Sequence, residues 1–116
     1  MSYSTSLLLL PQTDHSLVNK TFMLGEKVPG AGFVLTGKSV HTVTWKLTNF
    51  KGLLKFQGTL VQDPTDADFF DTHIVDGRTN ALTETKYANV EGNYVWVRVA
   101  IYQFTSGIIQ YVKVSY

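Results

Sequence analysis

The sequence predicts an all-β fold: a single antiparallel β-sandwich with jelly-roll-like connections and an extended N-terminal arm. Three observations predict it. First, two stretches alternate with period two, the signature of a strand. Val43, Trp45 and Leu47 oppose Thr42, Thr44, Lys46 and Thr48, and Val95, Val97, Val99 and Ile101 oppose Tyr94, Trp96, Arg98, Ala100 and Tyr102. Second, clusters of Asn, Asp, Gly and Ser punctuate the chain at strand-length intervals. Third, 116 residues that are 44% hydrophobic and 13% aromatic supply enough apolar material for one core, and a chain of this size buries roughly two-thirds of its unfolded surface without a metal or disulfide staple.

Taken in chain order, residues 1–32 are expected to form the arm and residues 33–116 the sandwich. Leu7-Leu8-Leu9-Leu10 is followed at once by Pro11 and preceded by no basic residue. A signal peptide needs about 7–15 apolar residues behind a positive segment, so this run reads as an N-terminal strand or clamp. No stretch approaches the roughly 20 apolar residues of a membrane span. Residues 11–32 are weakly patterned, and Val28-Pro29-Gly30-Ala31-Gly32 is a turn signal.

From Phe33 onward the chain reads as strands. Ser39 to Thr48 and Leu53 to Val61 pair as a hairpin across the turn Asn49-Phe50-Lys51-Gly52. Leu54, Phe56 and Leu60 share one face of its second strand, and Gly58 interrupts that row as a bulge or close backbone approach. Asp63 to Asp68 is the one expected helical turn, with Asp63 capping it and Pro64 at its first position. Phe69, Phe70, Ile74 and Val75 return to the core or an edge strand, and a weaker strand covers about Thr83 to Tyr87. Tyr94 to Tyr102 is the clearest strand. Phe104-Thr105-Ser106-Gly107 turns the chain into the last one, Ile108 to Tyr116, with Ile108, Val112, Val114 and Tyr116 on one face. About seven or eight such strands fit a β-sandwich.

Composition narrows the function. Net charge is +1, so no basic excess points to a nucleic-acid partner. There is no cysteine, which rules out disulfides and thiolate metal sites within the chain. The charged fraction, 16%, lies below the roughly 25% of an average soluble domain, as expected of a protein with extensive protein contacts. His15, His41 and His73 have no metal-ligand spacing and read as structural histidines. No nucleophile elbow, zinc-protease or phosphate-loop motif is present, so neither catalytic residues nor a cofactor is expected.

Two features remain as candidate sites. Asp63, Asp66, Asp68, Asp71 and Asp76 are five of the nine acids. Asp63, Asp66 and Asp68 are weak calcium candidates, since calcium takes six to eight oxygen ligands; helix capping and a solvated loop explain them as well. The second feature is the aromatic face around Tyr94, Trp96 and Tyr102. It reads as the second half of the core, covered by a loop or by the N-terminal arm, as a protein interface, where Trp, Tyr and Arg are enriched, or as a platform for sugar rings. With Leu7, Leu8, Leu9 and Leu10 these three aromatics are the interface candidates. Deleting residues 1–12 is then expected to weaken assembly and leave a folded domain.

Several segments carry a resemblance. Thr44-Trp45, Leu54-Lys55-Phe56-Gln57-Gly58-Thr59-Leu60, Asp63-Pro64, Ala67-Asp68-Phe69-Phe70, Gly92-Asn93-Tyr94-Val95-Trp96-Val97-Arg98, Phe104-Thr105-Ser106-Gly107-Ile108-Ile109 and Val114-Ser115-Tyr116 occur in an order that resembles small virion structural proteins of tailed bacteriophages, especially large marine and cyanobacterial phages. The likeness covers about residues 40–116; Phe69 stands where that family often has Trp. It implies a non-catalytic β-sandwich of the capsid surface, neck, tail or fibre, located in the virion, forming a homo-oligomer and contacting other virion proteins. The alternative reading is a carbohydrate-binding module used in host adsorption, with Trp96, Tyr94 and Tyr102 as the stacking platform.

Overall fold

The period-two rows become strands, but longer ones than the turn signals imply. The computed structural model describes residues 6–33 and 40–116. In chain order they form β1 (Ser6–Leu10), β2 (Thr13–Asp14), a single helical turn α1 (His15–Val18), β3 (Met23–Leu24), β4 (Val28–Pro29), β5 (Val40–Thr59), β6 (Phe70–Asp76), β7 (Leu82–Glu91) and β8 (Trp96–Ser115). The expected strand start at Ser39 lies outside the described residues. All eight strands belong to one antiparallel sheet; the all-β architecture is therefore as the sequence predicts.

β5 and β8 are its spine. They pair from Thr42↔Ser115 to Thr59↔Trp96. On the other side of β5, β7 covers the first half (Val40↔Glu91 to Phe50↔Leu82) and β6 the second (Leu53↔Asp76 to Gly58↔Phe70). The hairpin expected across residues 39–61 is thus replaced by one continuous strand. So is the turn expected at Phe104-Thr105-Ser106-Gly107, which lies inside β8.

The turn-forming residues act instead as a bend in the ladder. Asn49 on β5 has φ 49°, and Gln103 and Gly107 on β8 have φ 51° and 98°. The β5–β8 register shifts between Thr48 and Lys51 and again before Leu53. Gly107 is required there, because a Cβ would lie 2.2 Å from the Asn49 carbonyl oxygen. Across the bend the two halves of the sheet face each other: the ring of Trp45 in the first half lies 5.6 Å from that of Phe56 in the second.

The core fills the space between them. Val43, Trp45, Leu47, Leu54, Phe56, Val97, Val99 and Ile101 are buried, as the alternation requires. Each contributes about 1.5–3 kcal/mol by leaving water, before the entropy of ordering it. The left-handed residues then shift the alternation. Phe104, Ile109, Val112 and Val114 are fully buried, so Ile109, rather than the expected Ile108, faces inward at the start of the last stretch. Leu60, expected on the inward face, is 64% exposed because β5 ends at Thr59 and its alternation stops with it.

The expected helical turn is a 3₁₀ turn at Asp66–Asp68. It is closed by Asp68, whose carboxylate accepts from the Thr65 amide and hydroxyl, and not by Asp63 or Pro64. The segment expected as an arm runs along β8. β1, β2, β3 and β4 all pair with it antiparallel, the last three through two residues each.

Candidate interaction surface

The residues singled out in the sequence fall in three places. Leu9 and Leu10 are core, 3% and 6% exposed, while Leu7 is half-buried and Leu8, opposite Lys113, is half-exposed. Half of the apolar run is therefore satisfied inside its own chain. Deleting residues 1–12 would remove core leucines, so the structure leads to an expected loss of stability where the sequence suggested an intact fold.

The three aromatics do not share one open face. Tyr94 precedes β8 and is buried. Its hydroxyl donates to the Glu91 carbonyl at 2.7 Å, its ring lies 5.4 Å from that of His41, and a Cβ on Gly58 would come within 2.7 Å of it. The close approach at Gly58 is thus made by a ring. Trp96 and Tyr102 do lie on β8's outward face, but each carries an aromatic ring from the N-terminal segment. Phe33 sits 4.8 Å from Trp96, and Phe22 sits 5.0 Å from Tyr102. Lys27 and Lys55 add cation–π contacts at 5.0 and 4.8 Å. The Trp96 indole N–H donates to the Gln62 carbonyl.

Between those two aromatics, Arg98 is buried and fully engaged. Its Nε donates to Gln57 Oε1 at 2.8 Å, its Nη1 to Asp66 at 2.7 Å, and its guanidinium lies 4.0 Å over the Phe69 ring. Gln57 in turn donates to Asp71, which Lys55 also approaches at 3.1 Å. Burial pushes the Asp71 carboxyl up, but the Gln57 and Lys55 hydrogen bonds outweigh it and hold it below the usual carboxylate range. This polar chain ties the 3₁₀ turn to β8.

The acidic cluster is dispersed accordingly. Asp66 faces Arg98, Asp68 caps Thr65, Asp71 joins Lys55, and Asp76 is held at about 2 by side-chain and backbone hydrogen bonds from Arg78. Asp63 is exposed. Among the described residues no three His, Asp or Glu side chains converge as metal ligands, and the calcium candidates Asp63, Asp66 and Asp68 are not brought together.

Four exposed apolar side chains that the alternation concealed lie toward the end of the sheet where β5 ends and β6 and β8 begin. Phe33, Leu60, Val61 and Phe70 are 44%, 64%, 42% and 46% exposed. Phe33 and Leu60 line one groove with Gly32, Gln62 and Val95, and Phe70, paired with Gly58, packs its edge on Tyr94 at 5.9 Å. Only the end of β5 at Thr59 frees Leu60 and Val61, and no local signal marks that end before Asp63-Pro64. Among the described residues no helix is long and apolar enough to cross a membrane. Compared with known proteins, the chain matches no family model, no curated protein and no solved structure.

Proposed function

We propose that this chain is a non-catalytic structural protein of a bacteriophage virion, a capsid-decoration, neck, tail or fibre component. In this reading it forms a homo-oligomer, and the oligomer joins other virion proteins without nucleic acid, membrane or cofactor. The observation that carries the reading is the groove lined by the exposed Phe33 and Leu60, with Val61 and Phe70 also exposed toward the same end of the sheet. Several large apolar side chains gathered at one end of a small domain are what a contact surface looks like before its partner arrives. The low charge and the ordered resemblance of residues 40–116 to phage virion proteins support the same reading.

A carbohydrate-binding module draws less support, since Trp96 and Tyr102 already carry Phe33 and Phe22. Mass spectrometry of purified particles of the encoding phage tests the proposal. It predicts the chain at a fixed stoichiometry to the major capsid protein. Detection in the infected-cell lysate with absence from the particles contradicts it. A glycan array tests the other reading: a sugar signal lost in Trp96→Ala with the fold intact favours it.

A further inference from the structure

His41 is the most enclosed titratable group among the described residues, 1% exposed. Its Nε2 accepts the Ala31 amide hydrogen at 3.0 Å. An accepting Nε2 carries no proton, so the neutral ring's one proton is on Nδ1. Nδ1 is buried without a well-formed hydrogen bond, although the Gly92 backbone nearby favours a proton there. Burial holds the ring's pKa below the ordinary histidine value against that weaker influence of Gly92.

What His41 holds is a strap, residues 28–33. β4 pairs Val28 with Val97 and Pro29 with Trp96. Gly30 and Gly32 then donate to the carbonyls of Val95 and Tyr94. The approach is so close that a Cβ on either glycine would lie 2.3 Å from a carbonyl oxygen of Tyr94 or Asn93. Tyr116 donates to the Pro29 carbonyl, and its ring lies 5.2 Å from that of His41. The strap ends in Phe33, which covers Trp96.

Among the described residues, the surroundings of His41 offer an imidazolium no counter-charge. From the segment ahead of β8 and the end of β8 come Tyr94 and Tyr116, whose hydroxyls burial keeps protonated. Arg98 of β8, Gln57 of β5 and Thr72 of β6 line the same small cavity as His41, with apolar residues of β1, β5, β7 and β8. Arg98 is itself a cation, already paired with Asp66. Glu91 of β7 is exposed and pairs with Val40; no Asp or Glu among the described residues lines the cavity.

We propose that His41 is an acid-sensitive latch, whose protonation at Nε2 releases the strap of residues 28–33 from β8 and uncovers Trp96. Protonated Nε2 loses its lone pair and meets the Ala31 N–H donor to donor. The charge then needs water, and the strap is the segment whose hydrogen bond to the ring the proton breaks. The strap's ladder is two residues long, whereas β5 and β8 are paired almost throughout their lengths, so local opening precedes loss of the sheet. The latch is a property of the isolated chain and stands or falls independently of the virion reading.

Hydrogen exchange of the full chain at pH 7.5 and pH 5.0, corrected for intrinsic rates, tests it in wild type and His41→Gln. The Gln side-chain oxygen can accept from Ala31 and does not titrate. In wild type the amides of residues 30–32 are expected to lose about tenfold protection or more at pH 5.0, while Val99 and Val112 keep theirs; His41→Gln keeps all of it. Protection of 30–32 that stays within about twofold, or falls equally in His41→Gln, overturns the latch. If His41→Gln fails to fold, the wild-type His41 ring nitrogen shifts decide. Loss of protection that begins as pH falls below the ordinary histidine pKa of about 6.5 and levels off as the ring titrates supports the latch, and loss that is independent of the ring's titration overturns it.

Discussion

The spine and the N-terminal ribbon that carries β1 to β4, residues 6–33, are both built from antiparallel pairing with β8, yet they are held in different ways. β5 and β8 run together for nearly 20 residues and bury their inward row between two sheet halves. The ribbon touches β8 through one five-residue strand and three bridges of two residues. Beyond this pairing it is secured by single backbone hydrogen bonds at Thr21 and Gly25 and by side chains: Leu9 and Leu10 in the core, Phe22 on Tyr102, Phe33 on Trp96, and His41 on the Ala31 amide. Cooperative pairing stabilises the first region; a few separable contacts hold the second. Such contacts can open one at a time, which is why a conformational response belongs to the ribbon.

The contrast breaks first at the spine. Phe56→Ala removes a buried ring packed against Trp45 and His73 and is expected to destabilise by about 3–5 kcal/mol, read from urea denaturation; a loss below about 1 kcal/mol would mean that the two sheet halves do not share a core. Gly107→Ala tests the bend. It places a methyl group against the Asn49 carbonyl at positive φ and is expected to lower stability by about 1–3 kcal/mol. An unchanged denaturation midpoint would show that the bend tolerates a side chain.

The ribbon is expected to answer to pH. The His41 pKa is lowered in the folded chain, so the unfolded chain binds the proton more readily. Stability is therefore complete above the ordinary histidine pKa of about 6.5 and falls as pH drops below it, by at most about 1.4 kcal/mol per pH unit. The fall ends once the folded ring titrates too. Thermal denaturation between pH 8 and pH 5 reads it, and a flat profile contradicts it. The smallest effect is expected at Leu8→Ser, a half-exposed site on the ribbon's own edge strand, within about 0.5 kcal/mol of wild type; a larger loss would place Leu8 in the core with Leu9.

These regions were unequally legible in the sequence. Trp45 and the row Val97, Val99 and Ile101 declare their face by strict alternation, and the core follows from them. Asn49 and Gly107 were legible as turn chemistry but not as a bend. A left-handed residue serves a tight hairpin and a kinked strand equally well; the choice depends on whether the flanking segments pair with each other or with a strand some 50 residues away. The exposed apolar side chains were hidden for a related reason. Alternation assigns Leu60 inward until the strand's end is known, and it assigns Tyr94 to the face of Trp96, although Tyr94 lies before β8 begins. Nothing local to His41 marks it as the holder of Ala31, because the pairing that buries it joins three separate parts of the chain.

The mass of the full chain in solution tests the central claim most directly. An assembly protein that uses the end formed by Phe33, Leu60, Val61 and Phe70 is expected to sediment as a multiple of its 13.0 kDa protomer, and Leu60→Asp with Phe70→Asp is expected to return it to a monomer with unchanged far-ultraviolet dichroism. A wild-type chain that remains monomeric at every concentration, or a doubly substituted chain that associates as before, contradicts the account.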